Sequence, residues 1–509
     1  YRRDIILTSS LTPPTRVTSS FINKLLSMSL PLPTPSPLST PSNPSNPSSP
    51  IYPHYPLYPK RWLILLLFSL TTLTNAALWT TFAPISDLSS QYFFSTSSEK
   101  TKVNNLALTY QYLYLPGTIL GSWFVLKGSL RTAVVFGSVS TSLGSIIRYL
   151  SVVTIKDGEG KYWGVFIGQC LCALGQPMFV NSPGLLSSNW FGVSERDLAT
   201  TIASLFAVIG NAVGQVMPSM VVGSKEDGSV EGMETLLLQQ GIMGILCSLG
   251  CCIWFGSSPP TPPSSSTFKR DKIRRNGISV GKETEKDEIK EILLKNVEEG
   301  RSSASNRKID GGISGVLSNL LLLFRNPHYM TLFIAFGFGL SLFNAILTVL
   351  ANILEPCGYT DDDTGNFAAT LIGAGLVGAG VTGYLMDKYH IYRELLKLGF
   401  LCASITTIIL SFSVRSDTDA GLYMSFGMLG FFMIPMLPCM IENAVECTYP
   451  LPEELSVGVL FAAGNVLGIG TTILMQYLID YGGSDACDRW NTPVNLLIMG
   501  TAWICSCVV

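Results

Sequence analysis

The side chains with most chemical reach in this chain are amides and aromatics stranded within apolar sequence. Asn75 and Trp79 lie one helical turn apart. Tyr110 and Tyr114 repeat that i, i+4 relation just ahead of Pro116. Gln176 and Asn181 flank Pro177, and Asn211 and Gln215 are again four apart. Asn344 and Asn352 stand two turns apart, and Asn465 sits in a later apolar run. Such groups bind and orient; none of them breaks a bond unaided. Polar side chains inside membrane-type sequence point by default to a solute pathway. Their competing use is interhelical hydrogen bonding, worth about 0.6 kcal/mol each. Gln176, Asn181 and Asn211 suit either use, whereas Trp79 and Asn344 are read as cavity-facing.

The charged candidates are fewer. Glu442 and Glu446 share one face near the end of a span. Glu446 is read as a loop-level gate residue, and the deeper Glu442 as a carboxylate able to carry a coupling proton. Arg131, Glu195, Arg196, Asp387 and Arg393 fall in short turns between runs, where ion pairs would hold one access state closed. Arg148 lies near a span end and is expected to snorkel to the interface. His54, His328 and His390 have no metal-ligand spacing, and no glycine-rich phosphate loop or nucleophile–base set is visible. No metal, cofactor or catalytic residue is expected, and the chain is not read as an enzyme.

The elements that must position these groups are membrane spans. Hydrophobic residues make up 47% of the chain and charged ones 13%. Mean hydropathy is +0.37. A soluble chain would carry about 25% charged residues. The apolar residues come in runs of about 20, the length that crosses a hydrocarbon core. Twelve spans are read: 62–84, 103–126, 131–153, 162–188, 198–222, 235–255, 328–353, 366–386, 394–414, 420–447, 455–479 and a clipped 493–509. The last is short, and the C-terminus is expected to be incomplete; Met28 is a candidate true start. Residues 1–59 are rich in Ser and Pro and are expected to be disordered. Residues 256–327 form a charged linker, expected on the cytosolic side, whose 282–299 stretch reads as solvated linker, with a short surface helix as the alternative. Six spans at 60–255 and six at 328–509 make two halves, a layout that places a solute site between them near the midplane. Basic residues lean towards cytosolic termini. Most of the twelve cysteines sit inside apolar runs as small hydrophobes, but Cys357 and Cys487 lie in connecting loops and could pair on an oxidising side. A net charge of −2 suggests no nucleic-acid partner. The glycines at 373, 375, 378, 380 and 383 are read as helix-contact positions.

Two loops carry related signals: Gly121-Ser-Trp-Phe-Val-Leu-Lys-Gly-Ser-Leu-Arg131, and Gly383-Tyr-Leu-Met-Asp387-Lys388 with Arg393 following. The second resembles the signature loop of the major facilitator superfamily; the first has Leu126 where an acid is expected. From the fourth span into the fifth run Gly168-Gln169-Cys170, Gln176-Pro177, Asn181-Ser182-Pro183, Asn189-Trp190-Phe191-Gly192, Glu195-Arg196 and Ala199-Thr200. With Asn75-Ala76-Ala77-Leu78-Trp79, Arg148-Tyr149-Leu150 and Glu446-Cys447-Thr448-Tyr449-Pro450, this order resembles solute carrier family 49, the feline leukaemia virus subgroup C receptor-related proteins.

The resemblance implies an all-α membrane protein of the major facilitator superfamily fold, with twelve transmembrane helices in two six-helix halves. It implies alternating-access transport of a small organic solute: a cationic amine, a heteroaromatic vitamin or a haem-like molecule. A non-transporting receptor or scaffold is the alternative. Trp79 falls on the cavity-facing tryptophan of the choline branch, but Asn344 replaces its tyrosine, Asn465 its later glutamine, and Val208 stands at its fifth-span glutamine. The Phe343-Asn344-Ala345 pattern is closer to the less-characterised and vitamin-B6-linked branches. The expected partners are a small solute and the lipid bilayer, with a monomeric protein in the plasma membrane or an endolysosomal or vacuolar membrane.

Overall fold

The structure is a computed structural model. It describes residues 57–95, 99–192, 195–224, 230–261, 263, 320, 323–389, 392–415, 419–448, 453–482, 487 and 492–508. Met28, the 282–299 stretch and nearly all of 1–59 and 256–327 lie outside the described residues.

The described chain is almost wholly helical. Before the charged segment come α1 (Lys60–Thr80), α2 (Ser86–Phe94), α3 (Lys100–Lys127), α4 (Leu130–Thr154), α5 (Gly158–Val180), α6 (Pro183–Trp190), α7 (Arg196–Val221) and α8 (Met233–Trp254). After it come α9 (Pro327–Leu354), α10 (Asp361–Tyr389), α11 (Tyr392–Ser413), α12 (Asp419–Met433), α13 (Met436–Thr448), α14 (Glu453–Gly482) and α15 (Pro493–Val508). Two-residue strands β1 (Gly223–Ser224) and β2 (Val230–Glu231) close a hairpin between α7 and α8.

Among the described residues, ten helical segments are long and apolar enough to cross a membrane. Two of the twelve expected spans do not meet that standard. One is α3, which has the length at 28 residues but carries Lys100, Lys102, Asn104, Asn105 and Gln111. The other is α15, at 16 residues. The remaining differences have local causes. The expected 162–188 span breaks after Val180, and α6 restarts with Pro183 at its first position, where a missing N–H costs nothing. The 420–447 span breaks between Met433 and Met436, around Pro435. Starts are set by side-chain caps: Ser129 accepts from the Thr132 amide, Asp157 from the Gly160 amide at 2.9 Å, and Asn326 from those of His328 and Tyr329.

Small residues bring selected helix pairs into backbone contact, as membrane packing requires. A Cβ at Gly144 of α4 would lie 2.4 Å from the Gly168 carbonyl of α5, and one at Gly214 of α7 would lie 2.4 Å from the Ala77 carbonyl of α1. On α10 the glycine stripe divides. Gly375 and Gly378 pack on α12, whereas a Cβ at Gly373, Gly380 or Gly383 would meet nothing within 4 Å among the described residues.

Candidate functional site

The side chains expected to act on a solute fall into three groups. The first belongs to the packing of α1 on its neighbours. Asn75 donates to Thr141 Oγ1 and to the Cys172 carbonyl, both at 2.9 Å. The Tyr110 hydroxyl donates to the Asn75 carbonyl at 3.4 Å, and the Trp79 indole N–H donates to the Ala107 carbonyl at 3.2 Å. The Trp79 and Tyr110 rings lie 6.5 Å apart. Leu78, Ala107, Cys172 and Ala173 complete this cluster, so Trp79 has a fixed orientation from which its ring face is set. Gln176 is half-buried on α5.

The second group pairs α9 with α14. Asn344 Nδ2 donates to Asn465 Oδ1 at 3.5 Å, and Asn465 Nδ2 donates to the Phe461 carbonyl at 2.8 Å. Thr348 fixes the same turn by donating to the Asn344 carbonyl at 2.7 Å.

The third group is a seam where α3 runs antiparallel to α14. Residues 104, 111 and 118 of α3 recur every seven positions, the two-turn repeat that keeps one stripe against a partner helix. Asn104 Nδ2 donates to Gln476 Oε1 at 2.8 Å at one end. Gln111 faces Gly468 in the middle, and the Tyr114 ring lies 6.2 Å from Phe461 beyond it. Tyr114 donates to Asn181 Oδ1 at 2.7 Å, and Thr118 and Asn181 both abut Gly458. Beside this seam, Gln215 of α7 donates to the Leu347 carbonyl of α9 at 3.2 Å. Trp79, Tyr110, Tyr114, Asn344 and Asn465 are all buried, so the interior is closed around them.

One end of the seam is sealed by four helices. Gln476 Oε1 accepts from Asn104 and from Asn352, each at 2.8 Å, while Gln476 Nε2 donates to Asp480 at 3.0 Å. Ser86 of α2 donates to Asn352 Oδ1 at 3.2 Å. Outside this knot opens a cavity of about 590 Å³, lined in part by Ser86, Asp87, Lys100, Glu355, Tyr359 and Thr360. Lys100 joins Asp87 at 3.6 Å and also pairs with Glu355 across the vestibule. Two residues past Glu355, Cys357 is disulfide-bonded to Cys487, which ties the end of α9 to the connection between α14 and α15.

The opposite end holds the expected gate residues that the structure describes. Arg61 pairs with Glu195 at 3.1 Å and lies over the Trp62 and Phe191 rings. Arg131 donates to the Cys252 carbonyl at 3.2 Å, and Arg196 opens α7. The side chains of Asp387, Arg393, Glu442 and Glu446 lie outside the described residues.

Arg148 does not snorkel: it is 1% exposed. It shares the α4 face of Thr141, Gly144 and Ser145, which turns into the protein and not towards lipid. Its guanidinium lies 5.1 Å from the Phe82 ring centroid and donates to Gln240 Oε1 at 3.1 Å.

Gln111, Asn104, Gln476 and the Lys100–Glu355 pair were not singled out by sequence. Two spacings carried a signal: Asn104 and Gln111 are seven apart, and Asn465 and Gln476 are eleven apart, three full turns.

A helical bundle with polar side chains meeting along buried helix seams, bridged at its vestibule end by the Lys100–Glu355 ion pair, is the architecture of a membrane carrier. The Major Facilitator Superfamily model matches residues 64–474. Among solved structures, the D-xylose–proton symporter superposes with a TM-score of 0.61 at 12% identity, covering 87% of this chain and 97% of that one. The chain is 30% identical over 424 residues to solute carrier family 49 member A3 of Xenopus tropicalis, covering 82% of this chain and 78% of the relative. It is 27% identical over 428 residues to the choline/ethanolamine transporter flvcr2a of Danio rerio, covering 84% and 82%. The chain belongs to solute carrier family 49 of the major facilitator superfamily. It is an integral, multi-pass membrane transporter of small solutes.

Proposed function

We propose that this carrier moves a small polar amine or heteroaromatic solute by alternating access, between a half formed by residues 60–255 and a half formed by 328–509. Trp79, Tyr114, Asn344 and Asn465 are its solute-facing groups, with Asn75, Tyr110 and Gln176 supporting them. The observation that carries this reading is the buried amide pair Asn344–Asn465, set beside a seam whose α3 and α14 faces meet through Tyr114 and Phe461. Amides and ring faces suit a solute with hydrogen-bonding groups on a flat or cationic body. A haem-like solute would bring two carboxylates and calls for cations. The spans beside this cluster offer Arg148, which lies over Phe82, donates to Gln240 and neighbours Tyr110 and Cys172, one guanidinium against two carboxylates. Two relatives bear the name of choline/ethanolamine transporters, which supports an amine, as does the place of Trp79.

Orientation follows from redox chemistry. A disulfide persists on the oxidising side of a membrane, so the vestibule end bearing Cys357–Cys487 faces the exterior or a lumen. The Arg61–Glu195 end, where α1 begins, then faces the cytosol, in agreement with the basic residues near the span ends. The outer gate comprises Lys100, Asp87 and Glu355 above the Gln476 knot; Arg131, Glu195, Arg196, Asp387, Arg393 and Glu446 form the inner one. Glu442 is the candidate proton-coupling group.

The test is uptake of labelled choline, ethanolamine, pyridoxine and haem into proteoliposomes. Saturable uptake of an amine or pyridoxine, reduced at least tenfold by Trp79→Ala and by Asn344→Ala, supports the reading. Uptake of haem alone, or of none of the four, refutes it.

A further inference from the structure

Gln111 is 1% exposed, and neither its Oε1 nor its Nε2 has a hydrogen-bond partner among the described residues. The other polar side chains on its stripe of α3 each make at least one bond: Asn104 donates to Gln476, Tyr114 donates to Asn181, and Thr118 receives a bond from Asn181. The residue opposite Gln111 is Gly468 of α14, and a Cβ there would lie 2.8 Å from Gln111 Oε1. The glycine thus leaves just the space the amide needs and offers it no side chain. A buried amide with both ends unsatisfied destabilises the closed protein, and an apolar side chain of the same length would not. Interhelical bonding does not account for it, because the amide makes no such bond.

We propose that Gln111 is a specificity-determining residue that binds a hydroxyl-bearing part of the transported solute. An amide presents one acceptor and one donor group on the same flat end. A hydroxyl complements both, since it donates one hydrogen bond and accepts another. A trimethylammonium head complements neither. Gln111 therefore reads the neutral polar end of the solute, while the Trp79 ring takes the cationic or aromatic body. The inference rests on the solute-carrier reading above and deepens it. The amide becomes available when α3 and α14 part, because the Gly468 backbone that covers it belongs to the moving helix. Gly468 is then part of the same device: any larger residue there would press the amide away from the seam.

Matched solute pairs test this in proteoliposomes: choline against ethyltrimethylammonium, and pyridoxine against 4-deoxypyridoxine, each pair differing by one hydroxyl. Wild-type protein should prefer the hydroxylated member about tenfold or more in competition for uptake, the worth of one satisfied neutral hydrogen bond. Gln111→Met should cut that preference to within about twofold while uptake of the deoxy member persists, and Gln111→Asn should restore part of it. The solute-free Gln111→Met protein should also melt no lower than wild type, because two orphaned polar atoms have been removed. A preference unchanged in Gln111→Met overturns the inference and leaves the carrier reading standing. A lower melting temperature for that variant also overturns it, since the amide would then have a structural partner. Wild-type protein that takes up neither member of either pair, with Trp79→Ala equally inert, sinks the carrier reading and this inference together.

Discussion

Replacing Gln476 with leucine should open the vestibule end of the carrier. In the closed structure Gln476 Oε1 accepts two amide donors, Asn104 Nδ2 and Asn352 Nδ2, both at 2.8 Å and both buried. Leucine fills similar space but accepts nothing. Both donors are then orphaned while the end is closed, and both are hydrated once it opens. A buried unsatisfied amide donor costs about 1–3 kcal/mol. Taking about 1.5 for each gives about 3 kcal/mol in favour of the open state, a shift of about 150-fold in the equilibrium. Thr348 reads that shift, because it is buried one turn inward of Asn352 on α9. In a background where the free cysteines are replaced and the Cys357–Cys487 bond is kept, Thr348→Cys would be labelled with a membrane-impermeant maleimide from the vestibule side. Adding Gln476→Leu should speed labelling by one to two orders of magnitude and depress uptake, because return to the closed state is disfavoured. Labelling that is unchanged or slower would refute the idea that this knot is a latch.

The disulfide closes a sequence separation of 130 residues, so Cys357→Ser with Cys487→Ser should destabilise the protein by about 2–4 kcal/mol. A lower melting temperature and altered non-reduced gel mobility check this, and wild-type mobility that ignores reductant contradicts it. Gly430→Ala would place a Cβ 1.8 Å from the Leu371 carbonyl, and a rigid backbone cannot yield as a side chain can. It should cost about 3 kcal/mol or more and abolish a monodisperse elution peak, whereas Gly373→Ala, with nothing within 4 Å, should leave elution unchanged. Glu195→Gln removes a partly exposed ion pair with Arg61, worth under about 1 kcal/mol, so uptake rates should change less than about fivefold.

Much of this fold was legible because a membrane span announces itself by length and apolarity alone. Helix ends such as Leu130–Thr154 and Met233–Trp254 fall within a few residues of the expected spans. Pairings were legible only where chemistry narrowed the choice. Two loop cysteines outside the apolar runs could find each other, and Asn344 and Asn465 were chosen as the polar residues of their spans. Gln476 and Gln111 were passed over because their meaning depends on what faces them: two converging amides in one case, a glycine in the other. Arg148 was misjudged for a related reason. Distance to the end of a span says how far a side chain must reach for water, but the small residues at 141, 144 and 145 show that its face turns inward. The α2 helix and the 223–231 hairpin were missed because each is too short to leave a periodic pattern.

The Cys357–Cys487 bond also decides where the vestibule end can split. It fastens the turn after α9 to the connection between α14 and α15, on the side of the vestibule that carries Asn352 and Gln476. The contacts that cross from this side to the α2–α3 corner are Asn104 with Gln476, Ser86 with Asn352 and Lys100 with Glu355. Two neutral hydrogen bonds and one solvent-exposed ion pair are a low barrier for a seal that must break in every transport cycle. Without the disulfide, α9 and α14 would be held together at this end by side-chain contacts such as Asn352–Gln476.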